Sequence, residues 1–366
     1  MKTQAAASIF FLATSLPSAL GWGTLGHQTV AYIATNFVSS ATKTKFQSIL
    51  GDTSTDYLAT VSTWADTYRY TDAGTWSAPL HFIDANDDPP SSCDVEYSRD
   101  CGDTGCVVSA IKNYVHFNEI INPNYLTCSE HFIEQVRHNN CGKVPCPCKL
   151  EILPADVHGS LFEGAALRYP QISWRHVDCG SQKASLDFVS PFLVMETCNL
   201  DVHLYLSDES IQFIGDIHQP LHDEGLDLGG NEIDVTFDGS STNLHHIWDT
   251  NIPEKYVGGY ALSDAKSFAA TLTKSIKTGT YESEAASWLD GIDLSDPVSS
   301  ATSWASEANA YVCSTVMPKG ISAVEDTDLS GTYYTKAIPV VELQIARAGY
   351  RLAAWLDLIA TGSTGL

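Results

Sequence analysis

The sequence has no Asn-X-Ser/Thr sequon and no apolar run long enough to cross a bilayer. It is also poor in basic residues: 20 lysines and arginines stand against 44 aspartates and glutamates, a formal charge of -24. The missing sequon excludes N-linked glycosylation. The missing apolar run excludes a spanning helix, which takes about 20 consecutive apolar residues. The shortage of cations excludes recognition of nucleic acid by a broad basic face, and with it long-range steering of polyanions. Nucleic acid stays open as a substrate, because bound metal ions reverse the local potential.

What is present begins with an address. Residues 1–21 pair Lys2 with the apolar run Ile9-Phe10-Phe11-Leu12-Ala13 and end in Ser18-Ala19-Leu20-Gly21, the layout of a secretory signal. Cleavage after Gly21 leaves Trp22 as the first residue of a secreted, soluble chain. Ten cysteines suit an oxidising compartment.

Helical periodicity runs through most of the chain. Residues 24–40 repeat apolar side chains at helical spacing, with Leu25, Ala31, Ile33 and Phe37 on the buried face. Residues 53–70 read as a second helix carrying Trp64, Asp66 and Arg69. Residues 76–84 end in an apolar L-H-F-I-D, and 105–114 is helical again. Past the centre, 261–274, 285–289, 302–317 and 335–360 are helical patterns, the last with Leu343, Ile345, Tyr350, Leu352 and Trp355 as core. Strand content is confined to 231–237, where Ile233, Val235 and Phe237 alternate. The fold class is mainly α, and residues 22–366 form a single domain.

Residues 115–211 interrupt that pattern. The block lacks sustained periodicity and holds Cys128, Cys141, Cys146, Cys148, Cys179 and Cys198. Cys141, Cys146 and Cys148 give no paired C-x-x-C spacing, so the block does not read as a zinc finger. It reads as translated intron; the competing reading is a surface insertion stapled by disulfides. Gln212 stands at its edge, and glutamine is what a C-A-G splice acceptor encodes when read through in frame.

The chemistry concentrates between Phe213 and Asp249, in F-I-G-D-I-H-Q-P-L-H-D-E-G and N-L-H-H-I-W-D. His245 and Asp249 stand four apart and share one helical face. Asp216 and His222 flank Pro220, which places a helix end between them. Imidazole nitrogen and carboxylate oxygen are the donors that bind Zn²⁺ where thiolates are absent. The bland alternative is surface His and Asp in two loops. His27, Asp66 and His81 are further candidates, and a free amine on Trp22 with its own carbonyl would chelate a metal.

These motifs resemble a known family. W-G-T-L-G-H, S-T-W-A-D-T-Y-R, L-H-F-I-D, F-I-G-D-I-H-Q-P-L-H, G-G-N, N-L-H-H-I-W-D and E-L-Q-I-A-R-A-G-Y-R-L-A are similar to those of secreted zinc-dependent single-strand nucleases of fungi and plants, the nuclease S-one/P-one and mung bean type. The family's helical fold is related to zinc phospholipase C. The resemblance covers residues 22–114 and 213–360 and implies three Zn²⁺. On matching positions, Asp66, His81 and Asp216 fall on the first, and His222, His245 and Asp249 on the second. The Trp22 amine and carbonyl with His27 fall on the third, which shares Asp216. Arg69 matches the phosphate-holding residue, Asp66 the residue that orients the attacking water, and Phe82 and Asp84 the residues that stack on and bond a nucleobase. Cys93–Cys313 and Cys101–Cys106 match the family disulfides. The implied enzyme is a monomeric endonuclease on single-stranded DNA and RNA, releasing 5′-phosphorylated nucleotides, with 3′-nucleotidase activity and no membrane partner.

Two departures qualify this. The family has histidine four residues before the shared aspartate, where this chain has Gln212, a much weaker zinc ligand. His203 and the H-F-I at His131 are candidate replacements, and neither is followed by G-D. Some fungal relatives carry tyrosines at a remote base site where this chain has Ser240 and Asn251, which implies that this stacking site is absent. His218 and His246 read as supporting or exposed histidines. The alternatives are a phospholipase C-like phosphoesterase, opposed by Phe82 and Asp84, and a catalytically impaired zinc-binding homologue, motivated by Gln212.

Overall fold

The computed structural model describes residues 21–72, 74–120 and 211–366, with only the backbone given for 114–120. All of them belong to one compact unit. The reading of residues 1–20 as a signal, most of the 115–211 block, His131 and His203 lie outside the described residues.

The core is built on α1 (Thr24–Phe37), which packs between two later helices. Leu25, Val30, Ala31 and Ile33 are fully buried. The expected helix over 24–40 is in fact two. α1 stops at Phe37, Val38 and Ser39 are extended, and Ser39 accepts a hydrogen bond from the Thr42 N–H to start α2 (Ser40–Leu50). The expected helix over 53–70 is mostly turns, and only α3 (Trp64–Tyr68) is helical. An Asx turn at Asp52 and an ST turn at Ser54 satisfy its opening locally.

A 3₁₀ turn (Thr75–His81) follows, then α4 (Tyr97–Asp100) and α5 (Val107–Ile120). The Val107 N–H donates to the Phe82 carbonyl, so α5 holds the L-H-F-I-D segment in place. After the undescribed stretch the chain re-enters as a helical segment, 211–216, which ends at Asp216 ahead of Pro220. The Pro220–Asp223 turn is 3₁₀. The strand extends over Asp234–Phe237 and pairs antiparallel with Ser240–Asn243. Asp238 (φ 50°) and Gly239 (φ 75°) make the two-residue turn, the left-handed pair that Asp-Gly tolerates best.

Three helices complete the core: α6 (Leu262–Thr278), α7 (Pro297–Tyr311) and α8 (Thr332–Thr361). α6 and α8 are the pair that flank α1. A side chain at Gly349 would stand 2.5 Å from Ile33 Cβ, so glycine is what lets α8 approach α1 that closely. Ile345, Leu352 and Trp355 are buried as expected, Tyr350 nearly so, and Leu343 only partly. Among the described residues no helix is long and apolar enough to cross a membrane. The mainly α architecture matches the expectation from periodicity.

Candidate active site

Four elements distant in sequence deliver the first group of side chains. His27 comes from α1, Asp66 from α3, His81 from the end of the 3₁₀ turn, and Asp216 from the end of the 211–216 helix. His27 Nε2 lies 3.1 Å from Asp216 Oδ1 and 3.7 Å from Asp66 Oδ2. His81 Nδ1 lies 3.0 Å from Asp216 Oδ2 and 3.7 Å from Asp66 Oδ1. Asp216 therefore sits between the two histidines with one oxygen turned to each. All four are buried.

The second group is more tightly prepared. The Asn243 side chain caps the turn that carries His245, accepting from the His246 N–H. His245 Nε2 lies 3.2 Å from Asp249 Oδ2 across one turn. His222 Nδ1 donates to the His81 carbonyl and His245 Nδ1 to the Gly229 carbonyl, both at 2.7 Å. Carbonyls only accept, so Nδ1 carries the proton in each ring and each Nε2 presents a lone pair. Those two Nε2 atoms are 3.2 Å apart. Two lone pairs and a carboxylate at that spacing repel unless a cation or a proton lies among them. The donor atoms of His222, His245 and Asp249 all fall within 4.8 Å of one another, close enough to hold one metal ion between them.

The electrostatics fit metal ions. Burial alone would lower the His27 pKa, but Asp216 and Asp66 raise it above its ordinary value. His245 is raised in the same way by Asp249 against burial. Burial and its neighbour His245 hold His222 below the ordinary range. Asp216 is depressed, its burial outweighed by His27 and His81, whereas burial and the neighbouring Asp216 charge raise Asp66. Without metal, shared protons hold the carboxylates together; divalent ions would take the place of those protons.

Two features set the first group apart. A Cβ on Gly21 would collide with Asp216 Oδ1 and stand 2.6 Å from His27 Nε2. The Gly21–Trp22 junction thus lies against the face of Asp216 that meets His27. Gln212 Oε1 accepts from the Asp66 N–H at 3.1 Å, while its Nε2 is buried without a hydrogen-bond partner. An amide nitrogen has no lone pair to give a metal, and the amide oxygen is engaged with the Asp66 N–H, so in this orientation Gln212 braces α3.

Arg69, at the end of α3, is buried with Nη2 3.9 Å from Asp66 Oδ1, and its Nε has no hydrogen-bond partner. Phe82 is half-buried and Asp84 exposed, both just past His81. Disulfides join Cys93 to Cys313 and Cys101 to Cys106.

Of the groups that hold these side chains, the sequence pointed to His218 and not to Gln219, Gln344, Arg351 or Asp223. Gln219 Nε2 donates to Asp249 Oδ1 at 2.6 Å and its Oε1 accepts from the Leu221 N–H, tying Asp249 to the turn that carries His222. His218 is fully buried: Nδ1 donates to the Ile214 carbonyl and Nε2 accepts from Arg351. Burial and Arg351 keep it neutral, well below the ordinary histidine pKa. Gln344 Nε2 donates to the His218 carbonyl, so α8 clamps the backbone just past Asp216. Asp223 is buried beside Asp216 and Glu224, which with burial raise its pKa well above the carboxylate range. A polar residue inside an apolar helical stripe, such as Gln344 or Arg351, is the sequence signal for such braces.

The S1/P1 nuclease family model matches residues 22–122 and 202–361. It leaves 123–201 unmatched, a narrower interruption than the 115–211 read from composition. The chain is 50% identical over 341 residues to nuclease S1 of Aspergillus oryzae, covering 93% of this chain and 92% of that one. It is 41% identical over 338 residues to nuclease P1 of Penicillium citrinum, covering 92% and 97%. It is 28% identical over 353 residues to endonuclease 3 of Arabidopsis thaliana, covering 96% and 93%. On this evidence the chain belongs to the S1/P1 nuclease family.

Proposed function

We propose that the chain is a secreted, zinc-dependent endonuclease that cleaves single-stranded DNA and RNA to 5′-phosphorylated nucleotides and removes the phosphate of 3′-nucleotides. The observation that carries this reading is the convergence of His222 Nε2, His245 Nε2 and Asp249 within 4.8 Å of one another, with Nδ1 of each ring bonded to a backbone carbonyl. Asp66, His81 and Asp216 would hold a first ion, and His222, His245 and Asp249 a second. His27, Asp216 and the Trp22 amine and carbonyl would hold a third. Release of that amine requires cleavage at Gly21, which lies where the third ion would bind.

Bound zinc lowers the pKa of water and offsets charge on phosphate. The rest falls to this chain's side chains. Phe82 offers a ring to one nucleobase and Asp84 a carboxylate to its edge, which an unpaired strand alone can satisfy. Arg69 takes a non-bridging oxygen of the scissile phosphate with its unpartnered N–H. Asp66 accepts a hydrogen bond from the attacking water and points its oxygen at phosphorus. The water oxygen bonds to phosphorus as the P–O3′ bond breaks; the water's proton leaves to solvent, the departing 3′ oxygen takes a proton from solvent to become a hydroxyl, and the phosphate stays on the 5′ side of the product.

Gln212 supports a second reading, that this chain as written is catalytically impaired. The unmatched 123–201, which lies inside the atypical block at 115–211, supports the view that the working message lacks much of that block. Chelator-sensitive cleavage of single-stranded DNA, with zinc counted on the same sample, separates these. Cleavage with close to three zinc per chain supports the proposal. A folded chain with fewer zinc and no cleavage overturns it for this sequence. Transcript sequencing tests the intron: a spliced message restoring histidine before Phe213 supports it, and an unspliced one sinks it.

A further inference from the structure

We propose that Tyr70 is a second base-stacking platform, taking a nucleobase of the single strand other than the one assigned to Phe82 and Asp84. The residue is 60% exposed, a large aromatic side chain left to solvent next to Arg69. The Arg69 guanidinium carbon lies 5.1 Å from the ring centroid, and Arg69 Nη2 donates to the Tyr70 hydroxyl at 3.1 Å. Arg69 itself reaches toward Asp66. One side chain therefore links the metal-facing carboxylates to an open aromatic ring.

The charge of the chain makes such a platform necessary. With 44 acidic against 20 basic residues, binding of a polyanion cannot rest on a cationic groove. Stacking supplies affinity that depends neither on net charge nor on base identity. The guanidinium against the ring lowers the cost of bringing a phosphate next to a phenol and holds the ring still. The occupant is a nucleobase adjoining the phosphate on Arg69. Nothing in a 3′-mononucleotide reaches that position beyond its single base.

This inference rests on Arg69 holding the scissile phosphate. The test compares zinc-loaded wild type, Y70A and Y70F on an eight-residue oligodeoxyadenylate and on 3′-AMP, with KM and kcat read separately. Y70A is expected to raise the oligonucleotide KM by on the order of tenfold with kcat held. The 3′-AMP KM should rise several-fold less than the oligonucleotide KM, and Y70F should recover the oligonucleotide KM because the ring remains. An oligonucleotide KM within twofold of wild type in Y70A overturns the inference. So does a kcat loss on both substrates shared by Y70F, which would mean that the hydroxyl merely positions Arg69. Failure of wild type to cleave either substrate overturns the nuclease reading instead.

Discussion

The two groups of metal-facing side chains differ in how completely they are built. Around His222, His245 and Asp249 every orienting bond is present: two backbone carbonyls fix the ring tautomers and Gln219 holds the spare carboxylate oxygen. Around His27, Asp66, His81 and Asp216, His27 Nδ1, His81 Nε2 and Gln212 Nε2 are buried without hydrogen-bond partners. Gly21 crowds Asp216, and an amide stands where the family has an imidazole. The three side chains of the second group come from one stretch, 222–249, with the His81 carbonyl as the distant partner that orients His222. The first is drawn from four segments, and on the proposed reading its completion would also depend on a free Trp22 amine and on the identity of residue 212.

The sharpest way to break the comparison is to remove the residue that the first group is arranged around. D216A should cost more than about 100-fold in kcat, beyond the range of supporting residues, and lower the zinc count by two per chain. D249A should lower it by one. Equal losses in the two variants would mean that Asp216 serves a single ion.

Next in size is repair. Q212H should raise zinc affinity at the first group by roughly 10- to 100-fold and leave the second unchanged, measured by chelator titration. No gain would mean that the amide already suffices. Q219A tests the opposite group. Freed of its 2.6 Å bond, Asp249 should lose orientation, and zinc affinity there should fall by about tenfold with the fold intact.

The smallest effect concerns stability and pH. Burial raises the Glu224 pKa to about 7 against an ordinary 4.5. The native chain therefore keeps a proton that the unfolded chain gives up, so this contribution is full below pH 4.5 and is lost as pH rises through 7. E224Q should flatten that loss, raising stability at pH 8 by about 1–3 kcal/mol and leaving it unchanged at pH 4, as read by denaturant melts. A uniform change across pH would mean that Glu224 acts through packing alone.

Much of this was legible early because it is local. The four-residue step from His245 to Asp249, the alternation of Ile233, Val235 and Phe237, and the Pro220 break each depend on a few adjacent residues. The two missed helix boundaries have the opposite cause. Apolar spacing over 24–40 and 53–70 is helical, but Ser39 offers a better start for a new helix, and residues 53–63 satisfy their backbone through turns. Spacing registers burial, and caps decide where helices begin and end.

By itself the sequence determined the mainly helical class, the donor types and the family motifs that carry them, because residue chemistry and short-range period are written in the chain. Only tertiary structure decided that Asp216 turns one oxygen to His27 and the other to His81, or that Gln219 and Arg351 act as braces. It alone showed that Gln212 spends its oxygen on Asp66, that Gly21 lies against the shared aspartate, and that Tyr70 stands open beside Arg69. The reason is physical: distances between side chains from α1, α3, the 3₁₀ turn and the 211–216 helix are set by packing over the whole core, and no local pattern encodes them.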